Sequence, residues 1–406
     1  MNYKFSIITP SHKNTPYLQE LYESLCSQTY ENWEWILWLN GKVKRSKFPP
    51  EIENDERVTI YECKDRTTNV GFHKNKAFHL GTGDILVEVD HDDTLTPDCL
   101  EELNKAYQDE TIGFVYSDVA IDKDDFVPYN EQHGWTYYFH EHKGKKLYVM
   151  NTPRHTSQSI AYIWYAPDHV RSWRKSVYLD IGGHNVDLNI CDDHELMIRT
   201  YLNTEMYHVK KPLYIYRVYG TNTFLERNAQ IQVKTVELCY EYGYRLAERD
   251  AEKRGLKKID ISGKYYKREG YTLIDDEVHD LNEGIPLPDN SVGVINATHV
   301  LQRLKDPVKS MREIHRVLAH GGWAMIEVPS TDGRGAFQDP RHVSYWNEHS
   351  FWYYLNRNQA KFIGNTDIRF QKYRLNTYEQ DPHIPVTVAW LVAIKDKQRF
   401  PGELKI

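Results

Sequence analysis

A short apolar run that ends in several carboxylates constrains the fold of this chain more than any other feature. Residues 85–89 read Ile-Leu-Val-Glu-Val, which has the length and composition of a buried strand. Asp90, Asp92 and Asp93 follow this run directly. The carboxylates are therefore expected at the carboxyl end of a strand, where open α/β sheets bind their ligands.

Two interpretations of this acidic cluster are open at this point. Like charges placed together cost stability unless a cation lies between them, and oxygen ligands suit Mg²⁺ or Mn²⁺ bound to phosphate. The alternative is a solvated acidic turn, because Asp is common in turns. Thr96 and Pro97 predict that a helix follows, with Thr96 as its N-cap and Pro97 at the first helical position.

Length and charge limit the class of protein. A chain of 406 residues predicts two or three domains. The net charge of −7 comes without a basic block, so nucleic acid is not an expected partner. The 30 tyrosines and 10 tryptophans would suit sugar rings, although filling cores is their commoner use.

The cysteines and the N-terminus predict a location. The five cysteines are odd in number, scattered and without a CxxC pair, which favours a reducing compartment and argues against structural zinc. We find no signal peptide and no apolar run long enough to span a membrane. A soluble, cytoplasmic protein is therefore expected.

The order of predicted elements indicates an α/β protein with two sheets. Strands alternate with helices over about the first hundred residues, which predicts a mostly parallel, doubly wound sheet. Residues 125–160 lack periodicity and are a candidate lid or acceptor loop. A long helix is predicted over residues 224–254. The predicted domains are residues 1–225, a helical connector at 226–255, and a second Rossmann-like unit at 256–406.

Five sequence blocks occur in order along the first part of the chain, at predicted strand ends. These blocks are residues 6–11, 25–34, 69–77 and 89–93, and Gly182-Gly183 together with Asp192-Asp193. In this order they resemble the blocks of the large family of inverting glycosyltransferases with the GT-A fold, and the resemblance covers roughly residues 4–225.

The resemblance implies a nucleotide-sugar donor, a UDP-sugar first of all, a glycan or related acceptor, and Mn²⁺ or Mg²⁺ as cofactor. It assigns Asp92 to direct metal coordination and Asp90 to the metal shell or the donor ribose. It makes Asp193 the general base, although an acid at a helix start is also stabilised by the helix dipole. It places these residues around the donor: Thr9, Pro10, His12, Asn40, Asn69, Gly71, Lys74, Asn75, Asp90, His91 and Arg217.

Two positions depart from the family's pattern. The family usually ends its second strand with Asp-Asp-Gly-Ser, whereas this chain has Asn40 there, which leaves the identity of the nucleotide open. Tyr219 stands where the family usually carries a metal-binding His, and Tyr is a poorer metal ligand at neutral pH. Arg217 is a candidate phosphate ligand, or alternatively a surface residue at a strand end.

Four later blocks of the chain are Asp280-Leu281, residues 285–291, residues 316–318 with Gly321-Gly322, and residues 328–330. They resemble blocks of the class I S-adenosylmethionine-dependent methyltransferases, and the resemblance covers roughly residues 256–396. The first block is altered, since the cofactor turn normally reads Asp-x-Gly-x-Gly so that the backbone can approach the cofactor. Residues 260–266 here read Asp-Ile-Ser-Gly-Lys-Tyr-Tyr. Asp275 could still bind the cofactor ribose, but we expect the domain to have lost methyl transfer and to serve packing or acceptor binding.

The sequence thus predicts a metal-dependent inverting glycosyltransferase with a degenerate methyltransferase-like domain. One alternative is a bifunctional enzyme that also methylates with S-adenosylmethionine. Another is a non-catalytic glycan-binding protein, which Asn40 and Tyr219 would favour.

Overall fold

The protein folds into two α/β units. A computed structural model describes residues 1–395, apart from residues 14, 42, 46–47, 66, 129–133, 220–221, 276, 278 and 366. The described chain forms two compact units, and the boundary between them falls between Leu238 and Cys239. Helix α9 (Asn228–Lys253) contains this boundary and spans most of the predicted connector.

The described part of the first unit contains a ten-stranded mixed sheet. Its strands are, in chain order, β1 (Phe5–Ser11), β2 (Trp33–Leu39), β3 (Val58–Glu62), β4 (Ile85–Glu88), β5 (Thr94–Leu95), β6 (Ile112–Asp122), β7 (Tyr137–His142), β8 (Lys145–Met150), β9 (Arg171–Arg174) and β10 (Glu205–Arg217). The order is β3-β2-β1-β4-β9-β6-β10-β5, with β8 pairing β6 and β7. Strands β1 to β4 are parallel, as predicted, whereas β9 is antiparallel to both β4 and β6.

Amphipathic helices connect the strands of this unit. They are α1 (Tyr17–Cys26), α2 (Pro50–Glu53), α3 (Val70–Phe78), α4 (Cys99–Ala106), α5 (Ser157–Tyr162), α6 (Lys175–Asp180), α7 (Asp192–Asn203) and α8 (Thr223–Glu226). Leu18, Leu21 and Leu25 repeat at helical spacing on α1 and are buried in one core with Trp33 and Trp35, which alternate on β2. The local patterns therefore agree with the elements observed.

The chain order creates a crevice at the carboxyl ends of β1 and β4. From β1 the chain moves outward to β2 and β3 and then returns to β4 on the other side of β1. Such a reversal opens a ligand-binding crevice in α/β sheets. His12 directly follows β1, and its ring centroid lies 5.4 Å from that of His91 after β4. The acidic cluster therefore lies at this crevice.

The predicted N-cap of the following helix is wrong. Helix α4 begins at Cys99, and Asp98 occupies its N-cap position. Thr96 is instead an extension of β5, which pairs with β10, and its backbone N–H donates to the Leu213 carbonyl at 3.0 Å. Sheet pairing with a distant strand delays the start of this helix.

The segment that lacks periodicity is more regular than predicted. Within residues 125–160, strands β7 and β8 form an antiparallel hairpin, and Ser157 begins α5. Thr156 and Ser159 form a reciprocal capping box at that helix start. Residues 129–133 of the predicted lid lie outside the described residues.

The second unit has a six-stranded sheet of order β12-β11-β13-β14-β16-β15 in its described part. Its elements are β11 (Lys257–Asp260), β12 (Thr272–Leu273), β13 (Val292–Thr298), α10 (Pro307–Val317), β14 (Leu318–Pro329), α11 (Glu348–Leu355), α12 (Arg357–Ala360), β15 (Arg369–Asp381) and β16 (Ile384–Ile394), with short 3₁₀ turns at Leu301–Arg303, Arg334–Ala336 and Lys361–Ile363. The first four strands of this order are parallel, and β16 and β15 are antiparallel. This is a second Rossmann-like sheet.

Residues 320–322 interrupt the regular pairing of β14 with β13. These residues lie inside β14, where the pairing with β13 shifts from Leu318 opposite Val292 to Trp323 opposite Val294. The extra residues form a bulge, and Gly321 has a φ of 75° there. Gly321 and Gly322 therefore lie in a bulge of this strand.

Among the helices that the structure describes, none has both the length and the apolar composition needed to cross a bilayer.

Candidate active site

The three carboxylates after β4 have different environments. Asp93 is buried, and it accepts hydrogen bonds from the Tyr214 hydroxyl at 2.8 Å and the Arg217 backbone N–H at 2.7 Å. Burial, and then the charges of Asp92 and Asp90, raise the pKa of Asp93 well above its usual range. Asp93 therefore ties β10 to the end of β4, whereas the Asp90 side chain is 37% exposed.

Asp92 is capped by a tyrosine. The Tyr219 hydroxyl donates a hydrogen bond to Oδ2 of Asp92. Burial and this bond raise the pKa of Tyr219, so the phenol remains neutral and acts as a donor. Tyr219 is thus adjacent to the carboxylate that the resemblance assigns to the metal.

Arg217 is fully engaged by protein groups. Its guanidinium donates to Glu20 Oε2 at 2.6 Å and to the Asp92 carbonyl at 2.9 Å. It also stacks on the Tyr17 ring, with 3.9 Å between Cζ of Arg217 and the ring centroid. Phosphate binding by Arg217 stays a prediction, and a phosphate would have to share the guanidinium with Glu20.

A histidine that the sequence did not single out faces the same cluster. His169 Nε2 lies 3.9 Å from Asp90 Oδ2 and is buried with no hydrogen-bond partner of its own. The His169 ring stacks on Tyr214, with 4.7 Å between centroids. An unpaired buried nitrogen aimed at a carboxylate marks a place for a polar ligand.

A buried charge network lies directly behind the acidic cluster. Its members are Lys74, Glu88, Arg171, His184, Asp192 and Asp193. Lys74 Nζ lies 2.6 Å from Glu88 Oε1 and 3.7 Å from Asp192 Oδ2. Burial lowers the pKa of Lys74, but Glu88, Asp192, Asp90 and Asp193 outweigh it and raise the pKa well above its usual value. The network is therefore within electrostatic reach of both Asp90 and Asp193.

Asp193 is the most exposed member of the network, with 20% of its side chain exposed against 12% for Lys74. Its Oδ2 accepts from Arg171 NH1 at 2.9 Å, and its Oδ1 accepts from the His194 backbone N–H at 2.8 Å. Burial favours the neutral acid, but the charges of Arg171 and Lys74 outweigh it, so the pKa of Asp193 lies below its usual value. Asp193 is therefore an ionised carboxylate at neutral pH.

The neighbouring Asp192 has the opposite tendency. It is 4% exposed, and burial followed by the charge of Asp193 raises its pKa. Its Oδ2 is buried without a hydrogen-bond partner and lies 4.0 Å from His184 Nε2. Because Asp192 is buried, Asp193 is the acid of the pair that an acceptor could reach.

Several predicted donor-binding residues have structural contacts. Thr9 is buried, and its hydroxyl accepts from Trp35 Nε1 at 3.0 Å. The Asn40 backbone N–H donates to the Ser11 carbonyl at 2.9 Å, which places Asn40 beside the end of β1. Pro10 lies on β1 and is partly exposed. Donor binding by these residues stays a prediction.

Three residues connect α3 to the loop that precedes α7: Asn69, Gly71 and Asn75. Asn75 Nδ2 donates to the His184 carbonyl at 2.8 Å, and Asn69 Nδ2 donates to the Val186 carbonyl at 3.2 Å. A Cβ at Gly71 would collide with the carbonyl oxygen of Asn185. These residues hold the loop from Gly182 to residue 188 against α3, so any contribution to donor binding comes in addition to this role.

The residues present fit a divalent metal that is shared with a substrate. No group of three or more His, Cys, Asp or Glu side chains placed to hold a metal occurs among the described residues. Asp90 and Asp92 could still supply two hard oxygen ligands, as Mg²⁺ sites often do when phosphate and water complete the coordination. The orphaned His169 nitrogen beside Asp90 agrees with a polar ligand at this position.

The second unit does not fit S-adenosylmethionine. The Asp260 carboxylate is fully buried and accepts from Ser262 N at 2.8 Å, Arg268 N at 2.7 Å and Asn296 Nδ2 at 2.8 Å. Residues 261–271, all of them described, form turns and no helix between β11 and β12. The phosphate- or cofactor-binding helix start of such sheets is therefore replaced by a closed polar turn.

A carboxylate cluster at the switch point of a mixed sheet, beside its parallel strands β1 to β4, defines a ligand-binding α/β protein. Residues 6–166 match the family model described as Glycosyl transferase family 2, and residues 233–326 match the one described as Methyltransferase domain. The chain therefore carries a family 2 glycosyltransferase domain followed by a methyltransferase-type domain, and the protein is a glycosyltransferase. Both expected folds, GT-A and Rossmann-like, are confirmed.

Similar proteins include further glycosyltransferases. The chain is 22% identical over 253 residues to a glucosyl-dolichyl phosphate glucuronosyltransferase of Haloferax volcanii, covering 59% of this chain and 72% of that protein. The structure of S. aureus TarS 1-349 with UDP has a TM-score of 0.45 at 16% identity, covering 61% of this chain and 70% of that one. Mannosyltransferase PcManGT from Pyrobaculum calidifontis, with GDP-Man and Mn²⁺, has a TM-score of 0.43 at 15% identity, covering 62% and 70%.

Sequence reasoning missed Glu88, Arg171, His169 and His184. A charged residue inside the apolar run of residues 85–89 was a usable signal for Glu88, because an acid in a buried strand requires a buried partner. No comparable signal marks Arg171, which lies on a strand of only four residues. The network becomes visible only when β9 pairs with β4.

Proposed function

We propose that this protein transfers a sugar from a nucleotide-sugar donor to a hydroxyl group of a glycan or related acceptor, with inversion at the anomeric carbon. Asp193 acts as the general base, and a divalent metal ion is required. The observation that carries the proposal is the ionised, solvent-reaching Asp193 in the same charge network as the β4 end that bears Asp90 and Asp92. The family 2 domain supports the reaction class.

The chemistry requires one carboxylate and a leaving group. The acceptor oxygen bonds to the anomeric carbon while the bond from that carbon to the diphosphate breaks. The acceptor proton passes to Asp193, and the nucleoside diphosphate leaves with the bonding electrons. Asp193 suits this role because its two oxygens are held by Arg171 and the His194 N–H while its side chain remains partly exposed.

Asp92 and Asp90 are the residues that would hold Mn²⁺ or Mg²⁺, which would neutralise charge on the leaving diphosphate. A UDP-sugar is our first choice of donor. His12, His91 and Asn40, which follow β1, β4 and β2, would bind it, together with Lys74 from the charge network behind the acidic cluster. The acceptor is proposed only as a hydroxyl-bearing glycan or glycoconjugate.

The test combines binding with turnover. The protein would be incubated with Mn²⁺ and a panel of UDP- and GDP-sugars, and thermal unfolding and released nucleoside diphosphate would be measured. A donor at 100 times its dissociation constant should stabilise the fold by about 2.7 kcal/mol.

Variants assign the base in the same experiment. Asp193→Asn should abolish transfer and keep the thermal shift with donor. Asp180→Asn, an exposed acid in the same unit, is the control and should behave as wild type. The absence of a shift and of released diphosphate with every donor would contradict the proposal.

A further inference from the structure

Glu88 and Arg171 are direct partners across two antiparallel strands. Strand β4 carries Glu88 two residues before Asp90, and strand β9 places Arg171 opposite it in the sheet register. Both side chains are 1% exposed, and Arg171 NH1 lies 3.7 Å from Glu88 Oε2. A buried cation is thus built into the strand adjacent to the one that ends in the acidic cluster.

The guanidinium of Arg171 is fixed at several points. Nε donates to the Pro167 carbonyl at 2.9 Å, and NH2 donates to the Tyr165 carbonyl at 3.4 Å. Its remaining nitrogen, NH1, donates to Asp193 Oδ2 at 2.9 Å. Because the planar fork is anchored by backbone on one side, it offers Asp193 a donor at one position only.

We propose that Arg171 is a positioning residue, which holds the carboxylate of Asp193 in the orientation that takes the acceptor proton. This inference rests on the proposed function and adds a named residue to it. Oδ2 is bound by Arg171 and Oδ1 by the His194 N–H, so the carboxylate cannot rotate without breaking one of these bonds. Misplacing a catalytic group by about 1 Å can cost about 100-fold in rate.

The charges around Asp193 set the direction of a pH effect. The groups that face it are Arg171 on β9, Lys74 on α3, Glu88 on β4 and Asp192 on its own helix. Arg171 and Lys74 favour the ionised form, whereas burial and Glu88 oppose it. Removing Arg171 should therefore raise the pKa of Asp193 and move the acid limb of the kcat profile to higher pH.

Three variants separate position from charge. Arg171→Met should lower kcat by about 100-fold, shift the acid limb upward and leave the donor KM unchanged. Arg171→Lys keeps the charge but cannot reproduce the fork, so its acid limb should stay near that of wild type while kcat still falls. Glu88→Gln combined with Arg171→Met removes one charge of each sign, so this variant should fold even where the single Arg171→Met does not.

Arg174→Met is the matched control. Arg174 lies three residues further along β9, and its guanidinium also binds backbone carbonyls, those of Ile112 at 2.8 Å and Tyr107 at 2.7 Å. It has no contact with Asp193 among the described hydrogen bonds. Loss of stability alone should therefore lower the melting temperature of this variant without moving its pH profile.

The outcomes distinguish the inference from the proposed function. If Asp193→Asn abolishes transfer but folded Arg171→Met, or the double variant, keeps the wild-type kcat and acid limb, Arg171 is structural and the inference alone is overturned. If Asp193→Asn retains transfer, the base assignment fails and the inference fails with it. A shifted acid limb in Arg171→Met, with an unshifted one in Arg171→Lys and Arg174→Met, supports the inference.

Discussion

The Tyr219 hydroxyl donates a hydrogen bond to Oδ2 of Asp92, the carboxylate that the proposed mechanism assigns to the metal. Tyr219 follows β10, which the Asp93 carboxylate ties to the end of β4 through Tyr214 and the Arg217 N–H. The segment after β10 therefore covers the acidic cluster with a neutral donor. A metal ion that binds Oδ2 through the lone pair that accepts this bond displaces the hydroxyl.

Tyr219→Phe is predicted to bind Mn²⁺ more tightly than wild type. A hydrogen bond to a charged group contributes about 1.5–3 kcal/mol. Wild type loses this bond when the metal replaces the Tyr219 hydroxyl, whereas the variant has no such bond to lose. We expect a gain of about 10-fold, or about 1.4 kcal/mol, in a calorimetric titration with Mn²⁺ and UDP. Tyr17→Phe is the control, since the Tyr17 ring lies 6.0 Å from that of Tyr219 but does not bind Asp92 among the described contacts. Equal affinities in all three proteins would contradict the competition.

Asp92→Ala and Asp93→Ala are predicted to fail for different reasons. Asp92→Ala should abolish metal-dependent release of nucleoside diphosphate while the melting temperature changes little, because Asp92 is partly exposed. Asp93→Ala leaves the Tyr214 hydroxyl and the Arg217 N–H without their buried acceptor, which should destabilise the unit by about 1–3 kcal/mol for each group. Turnover with Mn²⁺ and urea unfolding, measured on both variants, check this division. A stable Asp93→Ala would show that Asp93 is not structural.

Glu34 is predicted to make the first unit sensitive to acid. Its carboxylate accepts from Lys4 at 2.8 Å, Ser6 at 2.6 Å and the Thr82 N–H at 2.6 Å, and the side chain is 13% exposed. Burial opposes ionisation, but these bonds outweigh it and lower the pKa of Glu34 from 4.5 to about 2. A pKa lowered on folding gives stability that is present above pH 4.5 and lost as pH falls towards 2.

The magnitude follows from this shift of the Glu34 pKa. A difference of one pKa unit between the folded and unfolded protein corresponds to about 1.4 kcal/mol, so ionised Glu34 contributes about 3 kcal/mol to the free energy of unfolding at neutral pH. Glu34→Gln should be less stable than wild type by about this amount at neutral pH, and the difference should shrink as the pH falls. Urea unfolding at several pH values measures it, with the exposed Glu23→Gln as control. A difference independent of pH would rule out this role.

The sequence predicted those parts of the fold that depend on local pattern. Strand β2 follows from its local pattern, because Trp33, Trp35 and Leu37 alternate and Asn40-Gly41 end the run. Strands β5 and β9 were not predicted, since two and four residues carry no period and exist as strands only through pairing with β10 and β4. The hairpin of β7 and β8 was missed because its two six-residue strands are rich in His, Tyr and Lys.

The candidate site divides in the same way. Asp90, Asp92 and Asp193 could be singled out because they stand at strand and helix ends, where ligand chemistry is expected. Arg171 and His169 could not, since each reaches the site from the segment around β9 through contacts between residues far apart in sequence. The sequence also did not reveal that Asn69, Gly71 and Asn75 hold a loop. An Asn that binds a donor and an Asn that binds a backbone carbonyl cannot be distinguished from the residue type alone.

The second unit is predicted not to bind S-adenosylmethionine. The Asp260 carboxylate is occupied by three protein donors, and the exposed Tyr265 and Tyr266 follow it where small residues would be required. Calorimetry with S-adenosylmethionine and S-adenosylhomocysteine should give no saturable heat up to about 1 mM, which corresponds to a binding free energy weaker than about −4 kcal/mol. The full chain would be used, with donor and Mn²⁺ as the positive titration. Saturable heat with either ligand would revive the bifunctional alternative.

Gly71→Ala is predicted to displace the proposed base, Asp193, through the loop that leads into its helix. The helix α3 backbone at Gly71 approaches the 182–188 loop so closely that a Cβ would collide with the Asn185 carbonyl, and the Gly71 N–H donates to the Leu188 carbonyl at 3.0 Å. The loop must move, and it leads directly into the helix that carries Asp193. Overpacking of this kind typically costs about 1–3 kcal/mol of stability. We expect kcat to fall. The metal affinity should stay at the wild-type value, because Asp90 and Asp92 are on another element. Lys76→Ala, an exposed position on the same helix, is the control. If Gly71→Ala lowers the melting temperature but leaves kcat unchanged, the loop does not position the base.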